Sequence, residues 1–254
     1  MEYIIIGSSG GLGSFMASRL RNDGHNVNGI DIVDSETTSS VVDITKIDKF
    51  SEELDAIVGA AKSPVCAVMC ALPANKGKYS TDLNDYLNQG DQLLTMPFNT
   101  LLVAAKVLRN HSLNISHTSD YSCMHHIINI GSVASSAIGF MLPPNYGAGK
   151  CAAHYLIKHL AQQLLPDGII CNTISPGIMA RNSKSAEYIR ECLNHLDTTL
   201  GFTNYSDVLA LILNLTNGTL GSIKGHDFIV DNGLEHYSTF YALKMASDKY
   251  KDKG

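Results

Sequence analysis

Short apolar runs alternate along this chain with longer stretches in which apolar residues recur every three or four positions. The short runs, at residues 3–6, 26–30, 40–42, 65–70, 126–130, 169–174 and 227–230, read as strands. The longer stretches, at about 11–22, 46–60, 86–109, 147–164 and 206–215, predict helices. Runs such as CAVMCAL and GIICNTI are apolar on successive positions, as strands covered on both faces are. Strands alternating with helices imply right-handed βαβ units. The predicted fold class is therefore α/β: one doubly wound, Rossmann-type sheet of about seven parallel strands flanked by helices. Such a sheet binds ligands in the crevice at the carboxyl ends of its strands. No Pro/Gly/Ser linker, low-complexity tract or solenoid repeat interrupts the pattern, so residues 1–254 are read as one domain.

Composition narrows the function classes. With 44% hydrophobic and 17% charged residues, the chain has enough apolar material for one large core. A formal net charge of −5 argues against electrostatic attraction to nucleic acid or to an anionic membrane. The opening MEYIIIGSSGG lacks the basic region and long apolar segment of a signal peptide, and no run reaches membrane-spanning length. A cytoplasmic location is expected. The six cysteines (Cys66, Cys70, Cys123, Cys151, Cys171 and Cys192) have no zinc-ligand spacing and are read as buried free thiols, with no metal site. Cys66 and Cys70 are spaced for one face of a helix or of a strand. His125 and His126 lead into a strand, where neighbours point to opposite faces and make a poor metal site.

The first strand runs straight into Gly7-Ser8-Ser9-Gly10-Gly11-Leu12-Gly13 and then a helix. Gly7, Gly11 and Gly13 permit the tight turn and close backbone approach that a diphosphate needs, and the helix N-terminus supplies free N–H groups. Asp31 ends the second strand, at the interval of about 20 residues where an acidic side chain accepts from a ribose hydroxyl. The same carboxylate would repel a 2′-phosphate, and Ser8, Ser9, Ile32 and Val33 offer no cation to hold one. NAD is preferred to NADP.

Tyr146-Gly147-Ala148-Gly149-Lys150 places Tyr and Lys four apart, on one face of a helix. A free phenol titrates near pH 10 (about three units above neutrality), and an adjacent ammonium favours the phenolate. Upstream, the strand HHIINIGS ends at Ser132; downstream, CNTISPG ends at Pro176-Gly177. In the helical run PFNTLLVAAKVL, Asn99 is either a satisfied, helix-kinking residue or a member of a proton relay.

Taken in order, Gly7–Gly13, Asp31, Asn99, Ser132, Tyr146/Lys150 and Pro176-Gly177 resemble the short-chain dehydrogenases/reductases over nearly the whole chain. Asp43-Ile44 looks like that family's adenine-contacting pair, and FIVDNG is similar to its last strand. The resemblance implies an NAD-dependent oxidoreductase interconverting a secondary alcohol and a ketone. Tyr146 would be the general acid/base, Lys150 would lower its pKa and hold the nicotinamide ribose, Ser132 would orient the carbonyl, and Asn99 would position a relay water. Gly7, Ser9, Gly10, Gly11, Leu12 and Gly13 would cradle the cofactor. Asp31, Asp43, Ile44, Cys70, Ala71 and Leu72 would line its adenosine half, and Pro176, Gly177 and Ile178 would lie beside the nicotinamide.

The sequence departs from the family at four places. Ile6 stands where Thr or Ser is usual before the first glycine. Met69-Cys70-Ala71-Leu72, followed by Pro73, replaces Asn-Asn-Ala-Gly; bacterial 3α-hydroxysteroid dehydrogenase/carbonyl reductases look similar here. Arg181 falls where a Thr often follows Pro-Gly, and Asn232 replaces the first glycine of the terminal pair. Ile138, Phe140, Met141 and Leu142 are possible substrate walls, and residues 178–200 a substrate lid. In that lid Arg181, Lys184, Arg190 and His195 either grip an anionic substrate or form a solvated helix face. The substrate is a small-molecule alcohol or ketone. The resemblance also implies a homodimer or homotetramer built through the helices at 86–109 and 147–164. Residues 234–254 form an extension that either covers a neighbouring subunit or frays. Two other readings use the same fold: a non-catalytic dinucleotide-binding regulator, and a tailoring enzyme of secondary-metabolite or sugar biosynthesis.

Overall fold

A computed structural model of the protein describes residues 1–71, 83–112, 123–136, 144–179 and 202–235. Strands β1 (Glu2–Ile6), β2 (Asn26–Asp31), β3 (Ser40–Val41), β4 (Val65–Met69), β5 (His125–Ile130), β6 (Ile169–Pro176) and β7 (Asp227–Val230) form one sheet. All neighbours are parallel, in the order β3-β2-β1-β4-β5-β6-β7. Helices α1 (Gly11–Asn22), α2 (Ile47–Ala60), α3 (Leu83–Ser112), α4 (Pro144–Leu164) and α5 (Tyr205–Thr216) pack against it. This is the doubly wound α/β sheet that the pattern predicts, with element ends moved by a few residues. β6 runs on to Pro176 because β7 pairs with it as far as Val230. α4 opens at Pro144, whose missing N–H is not needed in a first turn.

Alternation along the strands builds two cores. Ile4 and Ile6 of β1 face one side with Ala67, Ile127 and Cys171, under α2, α3 and α4. Tyr3 and Ile5 face the other with Val68, Ile128 and Ile174, under α1 and α5. Each fully buried isoleucine contributes roughly 1.5–3 kcal/mol by leaving water. Cys66 and Cys70 share the second face, which settles their spacing as that of a strand. Cys66 and Cys171 are buried as expected, Cys70 and Cys123 only partly, and Cys151 is exposed on the outer side of α4, contrary to expectation. Cys192 lies outside the described residues.

The chain order reverses direction across the sheet between β1 and β4, whose last residues Ile6 and Met69 are paired. The turns that leave these strands frame the crevice where such a sheet takes its ligand. α3 and α4 cross on the same side of the sheet. At the crossing a Cβ on Gly149 would overlap the carbonyl oxygen of Leu93, so only glycine lets the two backbones meet. Among the described residues no helix is long and apolar enough to cross a membrane.

Candidate active site

Gly7 leaves β1 with φ +92°, in the left-handed region that favours glycine. A Cβ there would stand 2.7 Å from the Cα and N of Ala71, so the first turn and the turn after β4 touch backbone to backbone. Gly10 caps α1 with extended backbone and no side-chain hydrogen bond, and Gly11, Leu12 and Gly13 form the first helical turn. Uncapped N–H groups at a helix N-terminus suit an anion such as a diphosphate. Asp31 closes the loop from β2. Its carboxylate accepts from Ser9 N at 2.9 Å and from Val33 N at 3.1 Å. The loop and the acidic strand end, singled out separately from sequence, are thus hydrogen-bonded to each other.

The residues that hold this arrangement from below carry no motif. Ser8 is fully buried; Thr37 donates to its carbonyl at 2.7 Å, and its hydroxyl meets that of Thr38 at 3.3 Å. Arg21 ties the same turn down by donating to the carbonyls of Val27, Glu36 and Thr37 and to Ser39 Oγ. The run SETTSS is the only trace of this cluster in the sequence. Asp43 is exposed and accepts from the N–H and hydroxyl of Thr45, which hold its carboxyl below the usual range. Ile44 turns its side chain into the core beside α2. Cys70 follows β4 with its N–H on Ile6 O at 2.8 Å. Leu72, Pro73 and the possible walls Ile138, Phe140, Met141 and Leu142 lie outside the described residues.

Across the crevice, β5 ends at Ile130 and its chain turns at Ser132, which is 8% exposed. Ser132 Oγ accepts from Ala134 N at 3.2 Å, and its side chain favours the Tyr146 phenolate. Lys150, one turn further along α4, is buried and donates to Ile130 O at 2.6 Å. Its Nζ lies 5.9 Å from the centre of the Tyr146 ring. Burial pushes the Lys150 ammonium down to about 8, with Cys70 acting in the opposite sense. Burial also raises the Tyr146 phenol, and the Ser132 hydrogen bond pulls it back. In this structure burial, not the ammonium, is the larger influence on the phenol. Tyr146, Ser132 and Lys150 are therefore brought together.

Asn99 is exposed and makes no hydrogen bond to these three among the described residues. It lies on an exposed stripe of α3 with Thr95, Leu102 and Lys106, while Leu93, Met96, Thr100 and Val103 form the buried stripe. Pro176 ends β6, and Gly177 donates to Val230 O at 3.0 Å. Ile178 O accepts from Thr203 N at 2.9 Å, which fixes the start of the segment read as a lid. Arg181, Lys184, Arg190 and His195 lie outside the described residues, as do the lid from 180 onward and the extension from 236. Asn232 has φ +55° and donates to Phe202 O at 3.0 Å. This is the left-handed conformation that favours glycine, and asparagine is among the few residues that adopt it readily.

Comparison with known proteins bears on the fold and the family. The family model described as Enoyl-(Acyl carrier protein) reductase matches residues 97–235, just over half of the chain. The chain belongs to the short-chain dehydrogenase/reductase family. It is 30% identical over 106 residues to a vibriobactin-specific 2,3-dihydro-2,3-dihydroxybenzoate dehydrogenase of Vibrio cholerae serotype O1. That match covers 36% of this chain and only 40% of the relative's length. Among solved structures, the fold is similar to a short-chain dehydrogenase from Leptospira borgpetersenii with bound NAD+, at TM-score 0.72 and 22% identity over 92% of each chain. It is also similar to a 3-oxoacyl-[acyl-carrier protein] reductase from Brucella melitensis, at TM-score 0.69 and 19% identity, covering 91% of this chain and 96% of that one.

Proposed function

We propose that this oxidoreductase is NAD-dependent and interconverts a secondary alcohol and a ketone, with Tyr146 as the general acid/base. The observation that carries the reading is the convergence of three side chains: Ser132 favours the Tyr146 phenolate, and buried Lys150 stands beside the same ring. A nicotinamide dinucleotide bound in the crevice would supply the hydride donor or acceptor. The uncapped N-terminus of α1, the Gly7–Ala71 contact and the Asp31 carboxylate fit such a group. Gly7, Ser9, Gly10, Gly11, Leu12 and Gly13 would hold its diphosphate, and Asp31 its adenosine ribose. Asp43, Ile44, Cys70 and Ala71 would flank the adenosine half, and Pro176, Gly177 and Ile178 the nicotinamide.

Ser132 donates to or accepts from the substrate oxygen and fixes its distance from Tyr146. Tyr146 gives that oxygen its proton in reduction and removes it in oxidation. A phenol raised by burial keeps its proton at neutral pH, which suits the acid role. Lys150 stabilises the phenolate once the proton has left. Leu94, Leu102 and Tyr155 are large apolar side chains exposed on α3 and α4. They favour assembly of a homodimer or homotetramer through these helices.

The test is separate calorimetric titration with NADH and NADPH, followed by turnover with a panel of ketones. The expected result is NADH binding in preference to NADPH, with turnover that Tyr146→Phe abolishes while NADH affinity stays within about twofold, since the lost hydroxyl acts in the chemical step. Preference for NADPH would refute the Asp31 argument. Full turnover in Tyr146→Phe would refute the acid/base assignment.

A further inference from the structure

The ladder between β6 and β7 ends where Pro176 pairs with Val230. The wall from Pro176 to Ile178 therefore needs other ties beyond that pair, and Thr203 supplies them. Its N–H donates to Ile178 O at 2.9 Å, and its hydroxyl donates to Val230 O at 2.7 Å. Gly177 N donates to the same Val230 O at 3.0 Å. Both acceptor positions of that carbonyl are thus used, and Gly177, Ile178, Thr203 and Val230 close into one hydrogen-bonded ring. Thr203 and Asp231 are both buried. A Cβ on Gly177 would stand 2.8 Å from that of Asp231 and 3.1 Å from Thr203 Oγ1, so glycine lets the wall lie directly against both. Beside the ring, Asn232 donates to Phe202 O, one residue before Thr203, at 3.0 Å. Asp231 accepts from the N–H groups of Gly233 and Glu235 at 2.8 and 2.7 Å, which fixes the turn that leaves β7.

We propose that Thr203 is a positioning residue for the nicotinamide end of the crevice. Its buried hydroxyl pins the Gly177–Ile178 wall to the end of β7 and so presets the surface on which the ring lies. The inference rests on the cofactor reading and goes beyond it: Thr203 acts through Gly177 and Ile178, not by contact with the ring. The hydroxyl is the one member of the hydrogen-bonded circuit that a side chain provides, so substitution can remove it. Without it, Val230 O keeps only the Gly177 N–H, and Thr203 is tied to the wall alone. The wall then has to be ordered when the nicotinamide arrives, and that cost falls on binding. It falls on the ring and not on the adenosine half, because the turn before α1 and Asp31 share no residue with the circuit.

The probes are NADH and ADP-ribose, which lacks only the nicotinamide ring. Each is titrated calorimetrically into the wild-type protein, Thr203→Val and Thr203→Ser. Valine keeps the branched shape and removes the hydroxyl, whereas serine keeps the hydroxyl. Thr203→Val should weaken NADH by about fivefold, the equivalent of one hydrogen bond of ordinary net strength, and leave ADP-ribose within about twofold of wild type. Thr203→Ser should restore the wild-type ratio of the two affinities. A merely structural role would lower the thermal midpoint and leave that ratio where it was. Should Thr203→Val not fold, Asn232→Gly carries the test: it keeps the left-handed turn, removes the tie to Phe202 and should move the ratio in the same direction. A ratio within about twofold of wild type in the folded variant, or a Thr203→Ser protein that behaves as Thr203→Val does, would overturn the inference while leaving the cofactor reading intact. Wild-type protein that binds neither probe overturns both.

Discussion

Replacing Gly149 by alanine separates a close helix contact from an ordinary one by the sign of its effect. In a helix interior alanine is favoured over glycine by about 1 kcal/mol, so with space available Gly149→Ala would stabilise the protein. Here the added methyl would overlap the Leu93 carbonyl oxygen and stand 2.9 Å from its carbon. The obstacle is backbone inside a long helix, which cannot rotate aside as a side chain can. Forcing a methyl into such a contact costs typically 1–3 kcal/mol in displaced structure. The net expectation is a loss of up to about 2 kcal/mol, or as much as roughly 8 °C in Tm for a chain of this size. Gly59→Ala is the comparison: its methyl would meet only the imidazole of His111, at 3.2 Å, a surface ring held by Asp55 alone that can shift by a few tenths of an ångström. Differential scanning calorimetry of the two variants is the assay. A Gly149→Ala protein that melts at or above the Gly59→Ala protein would refute the close crossing of α3 and α4.

Other expectations concern single residues. Asn232 holds φ +55°, so Asn232→Val should cost about 1–2 kcal/mol by thermal unfolding, while Asn232→Gly stays near neutral as backbone freedom offsets the lost bond to Phe202. His125 accepts from Val65 N through Nδ1 at 3.1 Å, and its pKa is lowered, first by burial and then by His111. A histidine lowered in the folded state contributes stability above its unfolded value and loses it as pH falls through that value, about 6.5. Urea unfolding should therefore show stability declining on acidification below about pH 6.5. The loss on this account stays within about 1–3 kcal/mol, the cost of orphaning one buried N–H. His125→Gln, which keeps an acceptor that does not titrate, should flatten part of that slope; an unchanged slope would exclude His125 as its source.

The glycine loop and Asp31 were legible because both sit at strand ends, where a period of two gives way to turn chemistry. Their physical link, Ser9 N donating to the Asp31 carboxylate, requires only that β1 and β2 be parallel neighbours. Asn232 was visible as a departure from the family, but its explanation needed a dihedral angle, which no residue letter carries. The clasp beneath the loop was not legible. Ser8, Thr37 and Thr38 are small polar residues of a kind that fills any turn, and Arg21 reads as a solvated helix residue until its carbonyl partners are known. Likewise, Cys151 sits within an apolar helical run. Only the packing of that helix decides that its thiol faces outward.

Asn99 shows how much less residue order fixes on a helix than on a strand. A strand alternates with period two, so the position of Ser132 just past β5 fixes which side of the sheet it serves. A helix turns about 100° per residue, and an error of two or three positions carries a side chain to another face. The order of the motifs placed an asparagine in the correct helix, yet the buried stripe of α3 runs through Leu93, Met96 and Thr100, and Asn99 lies off it. What marks the crossing in the sequence is Pro97 with Gly149: one removes a hydrogen-bond donor, the other a side chain, and together they leave a backbone carbonyl against the helix of Tyr146 and Lys150. A close approach of main chains carries no residue letter of its own. It has to be inferred from the residues that make room for it.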